Sequence, residues 1–380
     1  MKFIFTTIVV LATVVVATFG EENPRFLSDE FINFINSKNT TWKAARNINI
    51  NTSGSLIKRL FTVPHTKKET KHTLPTKIHS VDLKAIPESF DAREAWPECA
   101  SVIGDIKDEG GCVAGWAFAT VETISDRICI LSNATIQISI SAEDLISCCS
   151  DCNYGCSGGD TIEGWYYWST SGIVTGGKYG TNDGCRAYSI EPCDHYTDAS
   201  QDSCEEIIYA PDCVKVCDEG SSLEYKSDLR TGAPYYVIQT EAQIQTEIMT
   251  YGPIATSFEV YEEFLAYKSG VYQRITDDHV TRGAVKLIGW GVEDGVPYWL
   301  AANSWNKNWG ENGYFKILRG SNECEIESEP IVDRDAYVNR YHTISFIPKK
   351  KPAKQLFQGS DILNSEWKIS VTDVAVDSIV

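Results

Sequence analysis

An α+β fold, a helical half followed by a β half with a cleft between them, is predicted by three stretches of this sequence. Residues 116–131 carry apolar side chains at helical spacing, among them Ala117, Val121, Ile124 and Ile128, which predicts a buried helix beginning near Gly115. After Tyr235 the pattern turns to alternation and short apolar runs. Residues 285–288, 298–302 and 314–318 read as strands bounded by Gly or Asn. Between these halves, residues 145–220 are dense in Cys and Gly and poor in periodicity, which predicts loops held by disulfides. Each half must bury an apolar face, so the two meet as layers.

The ends read differently from this core. Residues 1–20 place Lys2 before an unbroken apolar and threonine run, too short for a membrane span, and read as a signal peptide. Residues 21–85 are polar. Within them Ser28 caps a predicted helix over 29–35, with Asp29 and Glu30 in its first turn. Residues 63–84 are rich in Lys and Thr, hold Pro64 and Pro75, and read as extended or loose chain. Globular composition begins at Ile86 and runs to about residue 335. A C-terminal extension over 336–380 contains lysines at 349–351 and 354; Asp373 and Asp377 argue against a lipid-anchor signal there.

The thirteen cysteines fit an oxidising lumen and read as a disulfide framework with one thiol left over. Cys149 and Cys152 have the spacing of a redox or zinc pair, but no spaced His or Cys partners complete a metal site, so neither metal nor cofactor is expected. Sequons at Asn39, Asn51 and Asn133 allow glycosylation. The formal charge of −18 is uneven. Residues 21–85 carry 11 basic and 6 acidic side chains (+5), whereas residues 86–335 carry 16 and 42 (−26). So acidic a core repels nucleic acid and anionic membranes; two readings stand side by side, a basic leader seated against it electrostatically and an acidic surface that only keeps a secreted protein soluble.

Six segments in order carry a family resemblance. They are Ser89-Phe90-Asp91-Ala92-Arg93, Cys112-Val113-Ala114-Gly115-Trp116-Ala117-Phe118, Ser141-Ala142-Glu143-Asp144-Leu145, Gly155-Cys156-Ser157-Gly158-Gly159, Ala301-Ala302-Asn303-Ser304-Trp305 and Cys324-Glu325-Ile326-Glu327-Ser328-Glu329. Together they resemble cathepsin B of the papain-like cysteine peptidases, from about Phe26 to Asp335. The resemblance implies an inhibitory propeptide over 21–85 and a two-domain peptidase fold over 86–335, a helical left domain and a β-barrel-like right domain with the substrate groove between. It also implies the pairs Cys99–Cys129, Cys112–Cys156, Cys148–Cys213, Cys149–Cys152, Cys185–Cys217 and Cys193–Cys204, leaving Cys324 unbridged.

The frame of that resemblance lacks its chemistry. A thiol peptidase needs a thiolate at a helix N-terminus, a His to pair with it, a group to orient the His, and donors for the oxyanion. Gly115 stands at the nucleophile position and Gly283 at the position of the base. Asn303, the orienting residue, is retained, and His279 is four residues from the base position and reads as a loop or surface histidine. Glu109 replaces the Gln of the oxyanion hole; an ionised carboxylate there only accepts hydrogen bonds. Gly158 and Gly159 match the strip that meets substrate backbone, Trp305 follows the orienting Asn, and Glu329 matches the acid at the base of the specificity pocket. Arg282 replaces a Gly beside that pocket, where it would fill the space and reach Glu329. The occluding loop between Cys193 and Cys204 keeps His195 but has Tyr196 where the family has a second histidine. The resulting expectation is a secreted, catalytically inactive homologue that binds peptides, protease inhibitors or a protease partner. An active peptidase with unrecognised chemistry and a secreted structural or storage protein are the alternatives.

Overall fold

The computed structural model describes residues 28–47, 75–152, 155–193, 208–333 and 338–339. The signal-peptide reading of 1–20, the sequon at Asn51, residues 194–207 and nearly all of the C-terminal extension lie outside them.

The leader begins as its caps dictate. Helix α1 (Asp29–Ser37) starts where the Ser28 Oγ accepts from Phe31 N at 3.1 Å, and it buries Phe31 and Ile35. Strand β1 (Trp42–Ala44) follows, with Trp42 and Ala44 buried. A second short strand, β2 (Thr76–Lys77), lies in the stretch whose composition reads as loose. It is ordered by pairing with the body of the molecule, which composition does not register. Strand β3 (Phe90–Asp91) then opens the core.

The helical half is built around α2 (Gly115–Leu131), whose residues Trp116 to Cys129 are all buried. Helices α3 (Ala142–Cys148) and α4 (Thr161–Thr170) pack beside it. Outside the end of α3, one short turn and α4, the described residues of 145–220 are loops held by disulfides, as expected, and α4 is the one long helix that reading missed there. Asp160 caps α4 by accepting from Ile162 N at 2.7 Å, and Trp165 and Trp168 are buried. A helix dense in aromatics and interrupted by Gly164 hides its period among the surrounding Cys and Gly.

The second half contains strand β4 (Tyr235–Ile238), helix α5 (Glu241–Tyr251) and strands β5 (Ile254–Tyr261), β6 (Tyr267–Tyr272), β7 (His279–Glu293), β8 (Val296–Ala302), β9 (Tyr314–Leu318) and β10 (Ile331–Asp333). The strand order is β1-β6-β9-β8-β7-β5-β10-β4-β2, with β3 also on β7. The leader thus supplies both ends of this path. Pairing is antiparallel except for β6 with β9 and β2 with β4. The three expected strands fall within β7, β8 and β9.

Buried charge ties the two halves together. Lys286 on β7 lies between two carboxylates of α2, 2.8 Å from Asp126 and 3.2 Å from Glu122. Arg127, also on α2, meets Glu247 of α5 at 2.9 Å and donates to the carbonyls of Pro253 and Asp333, each at 2.7 Å. Breaking such a buried pair is costly, so these contacts fix how the layers meet. Five disulfides join the expected partners: Cys99–Cys129, Cys112–Cys156, Cys148–Cys213, Cys149–Cys152 and Cys185–Cys217. Cys149 and Cys152 are thereby structural rather than a metal pair. Cys193 is disulfide-bonded too, and its expected partner Cys204 lies outside the described residues. Cys324 is free.

Candidate functional site

The N-terminus of α2 faces β7 across the junction of the halves. A Cβ added to Gly115 would lie 3.3 Å from Ala284 O, 3.7 Å from Glu109 Oε2 and 3.7 Å from Ser304 Oγ. Four separate segments therefore converge on this point, and Gly283 directly precedes Ala284 on β7. The fold brings the expected centre together, but neither glycine carries a reactive group. The nearest sulfur in sequence, Cys112, is locked to Cys156. Cys324 packs against the hydrophobic core of the second half, far along the chain from Gly115. Burial, with the Glu323 charge beside it, pushes its thiol well above the ordinary range, so it carries no appreciable thiolate.

Asn303 is buried, and its Oδ1 accepts from Ser304 N at 2.9 Å. Its Nδ2 has no hydrogen-bond partner among the described residues. Trp305 packs edge-on against Trp309 and Phe264, with ring centroids 5.1 and 6.2 Å away. Trp305 thus belongs to an aromatic wall, with Asn303 buried two residues before it.

Glu109 behaves differently from an exposed carboxylate. It is 4% exposed, and its Oε2 accepts from Ala114 N at 2.8 Å. Burial pushes its carboxyl up to about 8, against the lowering pull of hydrogen bonds from Ala114 N–H and the Trp305 side chain. Burial thus favours the neutral acid over the carboxylate that the sequence reading assumed. A protonated carboxyl has an O–H donor, which a carboxylate lacks.

The proton on Glu109 couples to stability. The folded pKa lies above the ordinary 4.5, so the native state holds the proton more tightly than the unfolded state. The associated stability is fully present below about pH 4.5 and is lost as pH rises towards 8, on the order of 3–5 kcal/mol in total. Glu122, pushed up to about 7 by burial against the pull of Lys286, acts in the same direction. Denaturant unfolding should therefore show the protein more stable at pH 5 than at pH 8. The variant Glu109→Gln should lose much of that slope; an unchanged slope would show that Glu109 is not the titrating group.

Gly158 and Gly159 border α2 on its other side. Gly158 has a φ of +103°, and a Cβ on Gly159 would fall 2.4 Å from the ring of Trp116. Only glycine fits there, so this strip is fixed by packing against the first turn of α2.

Arg282 meets Glu329, the contact expected of it, and two further carboxylates. Arg282 lies opposite Glu259 across the β5–β7 pair. Its Nη2 donates to Glu329 at 2.9 Å, and its Nη1 donates to Glu259 at 2.8 Å and Glu325 at 3.3 Å. His279, on strand β7 rather than in a loop, meets the other oxygen of Glu259. The cluster of Glu259, Glu325 and His279 around Arg282 is what sequence reading missed. The only signal for it was the cross-strand register of β5 and β7, which single residues do not reveal. His195 and Tyr196 lie outside the described residues.

A helix N-terminus facing a strand and an Asn-Ser-Trp turn, all behind a propeptide-like leader, define a papain-type cysteine peptidase scaffold. Residues 86–333 match the papain family cysteine protease domain and residues 27–61 the peptidase family C1 propeptide, and the chain belongs to this family. Its similarity within the family is to cathepsin B-like proteins. It is 43% identical over 311 residues to cathepsin B-like cysteine proteinase 6 of Caenorhabditis elegans, covering 79% of this chain and 81% of that one. It is 42% identical over 308 residues to a cathepsin B-like cysteine proteinase of Schistosoma japonicum, covering 80% and 90%. Among solved structures, procathepsin B S9 from Trypanosoma congolense superposes with a TM-score of 0.69 at 33% identity, covering 83% of this chain and 99% of that one.

Proposed function

We propose that this chain is a secreted, catalytically silent cathepsin B-like protein that acts by binding. The ligand is a peptide or a proteinaceous inhibitor of papain-type enzymes, laid along the Gly158–Gly159 strip. One observation carries the reading. Gly115 stands at the head of α2 where the attacking thiol would be, while Cys112 is bridged and Cys324 is held as a thiol elsewhere. Knocking out a nucleophile or base in a comparable hydrolase costs on the order of 10⁶ in rate, with poor additivity. Both positions here are glycine, yet the disulfides, the Asn303–Trp305 turn and the glycine strip persist. Entry into the secretory pathway is supported by the apolar leader at 1–20 and by the disulfide framework. No helix among the described residues is long and apolar enough to cross a membrane.

The ligand has no long basic side chain aimed at the pocket that Arg282 fills. Immobilised, processed protein should therefore capture a peptide or a papain-type inhibitor from the fluid into which it is secreted. Free leader segment should compete for that capture. Capture of nothing, or capture that leader segment does not affect, would contradict binding through the groove.

A further inference from the structure

A cavity of about 280 Å³ lies along α2, beginning one turn past Gly115. Its walls are apolar: Phe118 and Val121 of α2, Ile106 before that helix and Ile140 after it are all buried. Its floor carries charge. Glu122 and Asp126, one turn apart on α2, line the cavity and are themselves buried. They share a single cation, Lys286, whose Nζ stands 2.8 Å from Asp126 Oδ2 and 3.2 Å from Glu122 Oε2. Asp126 Oδ1 has no hydrogen-bond partner among the described residues. Burial pushes both carboxyls up, Glu122 to about 7, against the pull of Lys286. The cations of the rim are engaged elsewhere: Lys107 Nζ donates to Asp105 at 2.8 Å, and Lys178 pairs with the same carboxylate.

Two buried carboxylates beside one ammonium leave a negative charge uncompensated when both ionise, and one oxygen without a donor. A second cation with N–H groups supplies both needs. The apolar walls call for a ring or short alkyl body behind that cation. An apolar cavity of about 150 Å³ already holds benzene, so this one has room for a ring with a short chain. We infer that the cavity binds a small arylalkylamine, its ring against Phe118, Val121 and Ile140 and its ammonium beside Glu122 and Asp126. A neutral body of the same shape fills the walls but leaves the floor as it is. Neither glycine of the Gly158–Gly159 strip lines the cavity, so the inference does not depend on what the groove binds.

Calorimetric titration of the full chain with phenethylamine tests this, with phenethyl alcohol as the uncharged body of similar shape. The amine should bind one per chain and at least about tenfold more tightly than the alcohol. The amine keeps its proton up to pH 8, whereas Glu122, faced by Lys286 of β7, by Lys107 and by Asp126, ionises only as pH rises through about 7. Amine affinity should therefore be about tenfold higher at pH 8 than at pH 5. Glu122→Gln should remove the preference for amine over alcohol. Ser139→Trp, which fills the cavity from its half-buried rim, should remove binding of both, and melting of each variant checks that it folds. Equal affinity for amine and alcohol would overturn the inference. So would amine binding that Ser139→Trp leaves unchanged, or no saturable binding at millimolar amine.

Discussion

Restoring Cys at position 115 and His at position 283 together should produce measurable hydrolysis of dipeptidyl-arginine fluorogenic substrates, and the pair should exceed Gly115→Cys alone by about 10²–10⁴. The head of α2 stabilises a thiolate, so the sulfur regains its electrostatic setting as soon as it is present. The nearest atom to a Cβ at 115 is Ala284 O at 3.3 Å, so the thiol fits after an adjustment of a few tenths of an ångström. Position 283 is tighter: a Cβ there would stand 3.1 Å from Val260 Cγ2 and 3.2 Å from Phe258 Cε1, both buried. These side chains must yield slightly, and the Asn303 amide must turn from Ser304 N towards the new ring. Recovery should therefore be partial. A double variant that labels with a thiol-reactive active-site probe no faster than Gly115→Cys would show that the imidazole has not reached the sulfur.

Opening the pocket should have the second large effect. Arg282 satisfies Glu329, Glu259 and Glu325 at once, and any arginine side chain entering from a ligand must displace it. The variant Arg282→Gly leaves three carboxylates around an empty cleft. A hydrogen bond between charged groups is worth about 1.5–3 kcal/mol, so an arginine-bearing peptide should bind the variant at least about tenfold more tightly. Calorimetric titration with a dipeptidyl-arginine amide measures this directly. Equal affinity for both proteins would mean that the guanidinium swings aside without cost and does not plug the pocket. In the Gly115→Cys, Gly283→His background the same substitution should raise kcat/KM for arginine substrates.

Much of the frame is legible in the amino-acid sequence. Ser28 with Asp29 and Glu30 marks α1 because capping chemistry is local, and the 3.6-residue period of 116–131 marks α2 because one helix face is apolar along its length. Strands β7, β8 and β9 show themselves by alternation and bounding glycines. Helix α4 does not, since Gly164 and the run Trp165-Tyr166-Tyr167-Trp168 blur its period. The glycines at 115 and 283 can be found only by setting the chain beside its family, because an absent group leaves no pattern of its own.

What stays hidden depends on packing. The raised pKa of Glu109 follows from its burial, and a sequence records the carboxyl without its surroundings. Lys286 reads as a break in an apolar strand, yet Asp126 and Glu122 of a helix about 160 residues earlier in the chain surround it. His79 lies in a polar, lysine-rich stretch that composition treats as loose, while its ring is sealed against Glu247. The guanidinium of Arg282 gains its partners from β5 and from the loop holding Glu325 and Glu329, which only the folded sheet brings together.

A groove with glycine at both reactive positions should no longer hydrolyse peptide bonds. Purified protein with its leader removed should show no turnover of a dipeptidyl-arginine fluorogenic substrate above buffer at pH 5 or pH 7, and no labelling by a thiol-reactive active-site probe, while an active cathepsin B-like relative assayed alongside does both. Turnover that the probe abolishes would contradict the loss of hydrolysis, because it would require a reactive thiol that neither Gly115 nor the bridged Cys112 can supply.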